Sequence, residues 1–325
     1  HGLKRGDVIL TALRSHWSWW IVALAAHKLG LILAPCSYLL SEQDFLYRMT
    51  KAKAKCVVTC RENGADRRVL AAAEQAGVSV RFALGGGSGY LDLLGNMDKQ
   101  PGVLGRIPTS AKDPILLYFT SGTTGQPKGV LHDGAYTLSN YWGAKYMQDI
   151  HPGSLHFATG DTGWEVVCGT KFYGQWMCEG AVFTYDFDRF DASKILPMFA
   201  KYNITTFCAP PTMYRMMIKE DLTKYDLSSV HKATTAGEAL NPEVFRQIEA
   251  MTGLRVMEGF GQTETTLTIA NLTGNSYKLG SMGKPTPAYD IALVDPDGNP
   301  VPLGETGEVV VRTDRNIPCG LFSGY

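Results

Sequence analysis

No stretch of this chain is apolar for long enough to cross a bilayer. The most apolar segment, residues 17–26, is broken by His27-Lys28 and falls well short of the ~20 residues that a spanning helix needs. No secretory leader is visible either. An excess of one charge is also missing: 31 Lys and Arg balance 31 Asp and Glu, for a formal net charge of zero. A protein that binds nucleic acid usually carries a basic excess, so nucleic acid is not expected as a partner. The seven cysteines, at 36, 56, 60, 168, 178, 208 and 319, are scattered and odd in number. Cys56 and Cys60 have no second pair nearby, which argues against zinc, and the set reads as reduced core thiols of a cytoplasmic protein. The chain opens on His1, with no initiator methionine, and stops after an apolar-aromatic segment, as expected of an internal piece of a longer protein.

What is present is an ordinary globular composition, 45% hydrophobic and 19% charged, over 325 residues. That length calls for two or more substructures. Strand-like runs at 7–12, 31–35, 57–59 and 80–83 alternate with helical spacing at 17–29 and 67–75. The alternation restarts at 155–158, 181–184, 205–209 and 232–236, with helices expected over 191–202 and 242–252. Strands that alternate with helices argue for parallel sheet built from crossover units. Past residue 283 the pattern changes to hairpin strands at 291–294 and 308–312, with Asp297-Gly298 at a turn. The reading is an α/β protein with a first unit over 1–150, a second over 151–284 and the start of a small β-rich unit over 285–325.

One stretch carries the most chemistry. The apolar run 115–119 feeds into Thr120-Ser121-Gly122-Thr123-Thr124-Gly125-Gln126-Pro127-Lys128-Gly129. Glycines let backbone N–H groups approach an anion, hydroxyls add donors, and Lys128 adds a positive point charge. The string reads as a loop for nucleotide phosphates. Its lysine follows Pro127 and precedes Gly129, whereas the common P-loop needs Gly-Lys followed by Ser or Thr.

Three further motifs accompany it. Glu258-Gly259-Phe260-Gly261-Gln262-Thr263-Glu264 combines a ring able to stack on a base with a carboxylate suited to Mg²⁺. By itself Glu264 could equally cap the Thr-rich segment that follows. Ala236-Gly237-Glu238-Ala239-Leu240 reads as a strand end turning into the helix near Pro242. Asp161-Thr162-Gly163-Trp164 is a turn ending in a large ring, which on its own is most simply a core tryptophan. His132 could serve as a base, but a carboxylic acid is already ionised at neutral pH, so a structural or ligand-adjacent role is favoured. Lys171, Lys224 and Lys232 have no motif around them and are read as surface residues.

Taken in order, the four motifs resemble those of the adenylate-forming enzymes, a superfamily of acyl-CoA synthetases, peptide-synthetase adenylation domains and luciferases. The resemblance covers essentially the whole chain. It is strongest to the medium-chain acyl-CoA synthetase branch, through the motifs above and the ending Gly320-Leu321-Phe322-Ser323-Gly324-Tyr325. It implies the large N-terminal domain of the acyl-CoA synthetase fold: two stacked α/β subdomains with mostly parallel sheets and a small barrel-like β-rich subdomain. It also implies truncation at both ends, with the mobile C-terminal domain, its lysine and the ribose-gripping aspartate all lying beyond Tyr325.

For the site, the resemblance implies Thr120, Ser121, Gly122, Thr123, Thr124, Gly125 and Lys128 at the phosphates of ATP. Gly237, Glu238 and Ala239 then belong to the adenine pocket, with Glu258, Gly259, Phe260 and Gly261 beside the nucleotide. Many relatives carry Tyr in place of Phe260, a change that keeps the ring. Thr263 falls at the α-phosphate and Glu264 at Mg²⁺, so that Thr263, Glu264 and Lys128 form the catalytic set. Trp164 lines the acyl pocket, and Gly261 replaces a Trp that closes the pocket floor in acetate-specific relatives, leaving room for a longer or branched acid. The implied reaction joins a carboxylic acid to ATP as an acyl-adenylate, releases pyrophosphate, and passes the acyl group to coenzyme A. The alternatives are an adenylation domain that loads a carrier-protein thiol, and a nucleotide-binding fragment without catalysis.

Overall fold

The computed structural model describes residues 1–105, 107–120 and 125–325. A first seven-stranded sheet contains β1 (Val8–Ala12), β2 (Ile32–Pro35), β3 (Cys56–Thr59), β4 (Val80–Ala83), β5 (Leu91–Asp92), β6 (Pro114–Thr120) and β7 (Lys128–Asp133). Their order is β5-β4-β3-β1-β2-β6-β7. All neighbours are parallel except β6 and β7, an antiparallel hairpin at one edge. Both faces are covered, which explains why the central strands are apolar at nearly every position. Ile9, Leu33 and Val58 face Trp19 and Trp20 of the helix Ser18–Lys28. Leu10 and Val57 face Phe45, Met49 and Val69 of the helices Glu42–Ala52 and Ala65–Gln75. Helix Glu42–Ala52 begins where the Ser41 hydroxyl accepts the Asp44 N–H at 3.2 Å, with acidic residues in its first turn and Lys51 in its last.

The second sheet contains β8 (Leu155–Ala158), β9 (Ala181–Phe183), β10 (Thr206–Cys208), β11 (Lys232–Ala236), β12 (Val256–Gly261), β13 (Leu267–Ala270) and β14 (Lys284–Pro285). Their order is β14-β13-β12-β11-β10-β8-β9. Strands β8 to β12 are parallel, whereas β13 and β14 are antiparallel additions. Phe157 and Phe207 pack against Phe199, Tyr214, Phe245 and Ile248 of the covering helices. Helix Pro242–Thr252 starts from an Asn241 cap with proline at its first position and ends at Gly253 in the left-handed region. Two antiparallel strands, β15 (Ile291–Val294) and β16 (Glu308–Val311), form the small third sheet. No helix of the described residues is long and apolar enough to cross a membrane.

The two large sheets share a core. Tyr136, Val167, Cys168, Phe172 and Tyr173 pack into the same cluster as Ile9, Leu33 and Leu116 of the first sheet. Polar links reinforce the contact. The Trp20 indole donates to the Lys171 carbonyl at 2.9 Å, and the Arg14 guanidinium donates to Asp186 and Asp188 at 2.7 and 2.5 Å.

Lys171 corrects the sequence reading. It ends the helix Glu165–Lys171 at this junction and is only 2% exposed, whereas Lys224 is exposed and Lys232 half-buried. Its ammonium donates to the Gly160 carbonyl at 2.6 Å and the Ser15 hydroxyl at 3.2 Å, and lies 5.9 Å from the Trp20 ring centre. A buried lysine keeps its proton only where acceptors surround it, and no local pattern records acceptors supplied by distant residues. Burial pushes its pKa down to about 8, against the pull of Asp161 and Asp186.

Lys171→Met keeps the stem but strands these acceptors, and should cost about 1–3 kcal/mol in urea unfolding. The pH dependence has a definite sign. Between pH 8 and about 10.5 the unfolded chain holds a proton that the folded chain has released, so folding gains from this group as pH rises. Wild type should therefore gain stability relative to Lys171→Met across that window. A constant difference between pH 7.5 and 10 would contradict the assignment.

Candidate functional site

The phosphate string closes the β6–β7 hairpin. Thr120 and Lys128 are register partners across the ladder, so the loop leaves and returns at neighbouring points. Ser121, Gly122, Thr123 and Thr124 lie outside the described residues. Gly125 has φ +137°, a region that favours glycine, with open space where a Cβ would stand. Lys128 is exposed at the start of β7. The chain resumes after the string as the strand β7, whereas in a P-loop it resumes as a helix, and Lys128 places a positive charge at the described end.

The second component comes from the other sheet. After β12 the chain makes a tight turn in which the Thr265 hydroxyl accepts the Gln262 N–H at 3.1 Å and the Thr265 N–H returns to the Gln262 carbonyl at 3.0 Å. This turn presents Thr263 and Glu264. His132 on β7 reaches across, and its Nε2–H donates to the Thr263 carbonyl at 2.7 Å. The ring is fully buried, lies tilted with its centre 4.0 Å from that of Tyr136, and has its pKa pulled below the ordinary histidine range by burial. Its Nδ1 has no hydrogen-bond partner among the described residues.

A third strand of chain joins both. The Ser323 N–H donates to the Leu131 carbonyl at 2.7 Å and the Leu131 N–H to Gly324 at 3.1 Å, while the Phe322 N–H donates to the Glu264 carbonyl at 2.8 Å. Tyr325 is thereby set between the two components. Its hydroxyl donates to Glu264 Oε1 at 2.8 Å, and its ring centre lies 5.0 Å from the Lys128 ammonium. Nothing in the local sequence singled out Tyr325; only its place in the final six-residue string hinted at it.

The remaining nucleotide candidates lie where β11 and β12 end side by side. Thr235 pairs with Glu258 and Ala236 with Gly259. Gly237 follows with φ +93°, and Glu238 and Ala239 are exposed. Glu238 is engaged from the side: it accepts the Thr212 hydroxyl at 3.0 Å and lies 3.6 Å from Arg215. Glu258 is half-buried, and burial raises its pKa despite a backbone N–H from Leu240. Phe260 is partly exposed, and its carbonyl is held by the Thr268 hydroxyl at 3.1 Å.

Beside this edge is a cavity of about 90 Å³ whose lining includes Met147, Thr170, Cys208, Gly237, Gly261 and Leu267. One wall is the π-helical turn Gly143–Met147, which extends the helix Tyr136–Trp142. Trp164 lines a separate small cavity of about 20 Å³ that shares Thr170, Cys208 and Ala236 with the first. At 53% exposure Trp164 is not a core residue.

The rest of its motif fastens the turn to the first sheet. Asp161 accepts the Gly163 N–H at 2.7 Å and the Ser37 hydroxyl at 2.9 Å, and the Thr162 hydroxyl bonds the Leu13 carbonyl. Gly163 lies so close to the Cys36–Ser37 backbone that any Cβ would overlap it. Gly261 is constrained in the same way. A Cβ there would collide with the Thr266 carbonyl, at the register shift between β12 and β13. Its lack of a side chain is thus a backbone requirement first and an open wall of the cavity second.

The donor set fits Mg²⁺ in one specific way. Among the described residues no group of three His, Cys, Asp or Glu could hold a metal. Glu264 offers a single partly exposed carboxylate, one oxygen of which already accepts Tyr325. Such a site suits a cation carried mainly by substrate phosphates and water, as Mg²⁺ commonly is.

The chain has relatives among known proteins by sequence and by fold. The acyl-coenzyme A synthetase ACSM3 of Rattus norvegicus, a mitochondrial protein by name, is 34% identical over 325 residues, covering 99% of this chain and 56% of its own length. The human ACSM5 is 35% identical over 327 residues, with 100% and 56% covered. The chain spans about half the length of the curated relatives it matches. Among solved structures, the anthranilate CoA ligase AuaEII in complex with anthranoyl-AMP superposes with a TM-score of 0.89 at 24% identity, covering 99% of this chain and 61% of that one. The Brucella canis acyl-CoA synthetase gives 0.89 at 23%, with 100% and 60% covered, and these two likenesses speak to the fold alone. The profile of the AMP-binding enzyme family matches residues 1–325, and the chain belongs to that family.

Proposed function

We propose that this chain is the ATP- and acid-binding part of an AMP-forming acyl-CoA synthetase acting on medium-chain or branched carboxylic acids. The observation that carries the reading is the meeting of Lys128 and Glu264, from opposite sheets, on the two sides of Tyr325. Its division into units at 1–150, 151–284 and 285–325 is part of the same proposal. Six of the seven cysteines are free and buried as expected of core thiols, whereas Cys319 is free and exposed, and free thiols suit a reducing compartment such as the cytoplasm.

Each residue then has a defined task. The hairpin from Thr120 to Gly125 and the ammonium of Lys128 receive the phosphates. The Gly237–Ala239 turn and the Glu258–Gly261 strand end receive the adenosine, with Phe260 as the stacking ring. The Thr263 hydroxyl donates to the α-phosphate, and its position is secured from behind by His132. Glu264 would hold Mg²⁺, which when bound neutralises phosphate charge. The acid enters the cavity beside Gly261, which adjoins the smaller one lined by Trp164, its carboxylate directed at the α-phosphorus. Attack forms the acyl–phosphate bond and expels pyrophosphate; coenzyme A thiol then takes the acyl group and releases AMP. No general base is needed for the first half, because the acid is ionised at neutral pH. The work is positioning and charge neutralisation.

Removing a single donor aimed at developing phosphate charge costs about 3 kcal/mol, or about 100-fold in rate. Thr263→Ala and Lys128→Ala should each slow ATP–pyrophosphate exchange by that order. Unchanged exchange in both variants would remove them from the site. Exchange measured over straight-chain acids from acetate to decanoate, with benzoate included, should peak beyond acetate. Fastest exchange with acetate would overturn the acid class while leaving the nucleotide site intact.

A further inference from the structure

Helix Glu42–Ala52 belongs to none of the motifs, yet it touches both stems of the phosphate hairpin. On the outgoing stem, the Tyr47 hydroxyl donates to the Pro127 carbonyl at 2.9 Å. On the incoming stem, the Tyr47 ring meets Phe119 edge-on, with centroids 6.3 Å apart at 71°. One residue along, the guanidinium of Arg48 lies 5.6 Å from the Phe119 ring centre, braced by the Asp44 carbonyl at 3.1 Å and the Asp44 carboxylate at 3.3 Å. Phe119 immediately precedes Thr120, and Pro127 immediately precedes Lys128. One helical turn therefore holds the residue just before each end of the loop.

The grip on Pro127 matters for a simple reason. Proline has no N–H, so its carbonyl is the only backbone polar group by which this position can be anchored. Pro127 also stands just before the ladder, which resumes at Lys128. A bond to this carbonyl therefore acts on the chain where it re-enters the sheet, one residue before Lys128.

We propose that Tyr47 is a positioning residue for the phosphate site: by holding the Pro127 carbonyl it aims Lys128 at the terminal phosphates of ATP. This rests on the reading of Lys128 as a phosphate ligand. The half-buried hydroxyl is given to the Pro127 carbonyl, and the helix that carries it is fixed by Phe45 and Met49 in the core beneath.

The test compares ATP with AMP, because only ATP carries the phosphates that Lys128 is aimed at. Tyr47→Phe keeps the ring against Phe119 and removes one hydrogen bond. Calorimetric titration of the full protein with Mg²⁺·ATP and with AMP should show ATP binding weakened about fivefold and AMP binding unchanged. Thermal unfolding should shift little, and Tyr47→Leu should weaken ATP further. Equal weakening of ATP and AMP, or a lowered melting point with both affinities reduced, would make Tyr47 merely structural. Wild-type affinities in Tyr47→Phe would overturn the proposal directly. A wild-type protein that binds neither nucleotide would instead overturn the phosphate-site reading itself, and this proposal with it.

Discussion

The site depends on a bond between backbone and side chain across the gap between the sheets. Thr263 and Glu264 stand on a turn of the second sheet, and the phosphate hairpin belongs to the edge of the first. Their relative placement is held by the His132 imidazole, whose Nε2–H reaches the Thr263 carbonyl. A neutral imidazole has one donor and one acceptor, so a proton on Nε2 leaves Nδ1 bare, in keeping with its lack of a partner. Burial favours that neutral form by lowering the pKa, whereas the Nε2–H is a donor in both protonation states, so the link to Thr263 does not depend on the charge of the ring. A histidine that had to serve as a base would need the opposite arrangement, with its free nitrogen toward substrate. Here the free nitrogen is buried and the occupied one faces the site.

Close backbone approach is the second constraint, and it changes the meaning of two glycines. Gly163 and Gly261 both belong to motifs that flank the cavity, and at both a Cβ would overlap backbone of a neighbouring segment. The Asp161 turn can dock against Ser37 only through a glycine, and this docking leaves Trp164 outside the core. Likewise β12 can meet β13 at its bulge only through a glycine. Cavity shape beside these residues is a consequence of how the sheets are assembled. A larger residue at Gly261 would have to move the β12–β13 connection before it could fill the cavity.

Most of the regular structure was legible locally. Strands at 80–83, 155–158, 232–236 and 291–294 and the helix Pro242–Thr252 fall on the residues that the strand-like runs and their alternation with helices indicate. The β12–β13 pair did not show, because Gly259 and Gly261 interrupt the strand signal where the backbone must approach closely. Lys171 was misplaced because its acceptors, Gly160 and Ser15, come from other segments. Tyr47 and Tyr325 escaped notice for the same reason: the partners that give them a role are 80 and 61 residues away. The candidate chemistry was carried by short strings, whereas what holds those strings in register is carried by single long-range bonds.

The hairpin form of the phosphate loop explains why such supports gather around it. A P-loop gains positive potential from the helix that follows it. A loop that returns as a strand does not gain that potential from the element that follows it, and in the proposed reading Lys128, at the described end, supplies positive charge instead. An ammonium placed freely beside a carboxylate would tend to pair with it, and each would lose capacity for a ligand. Here Tyr325 contacts both groups. It gives its hydroxyl to one oxygen of Glu264 and its ring to Lys128, contacts that hold both groups without neutralising either. Among the described residues the two opposite charges meet the same tyrosine without an ion pair between them, which under the proposed reading leaves Lys128 open to phosphate and Glu264 open to a cation carried by that phosphate.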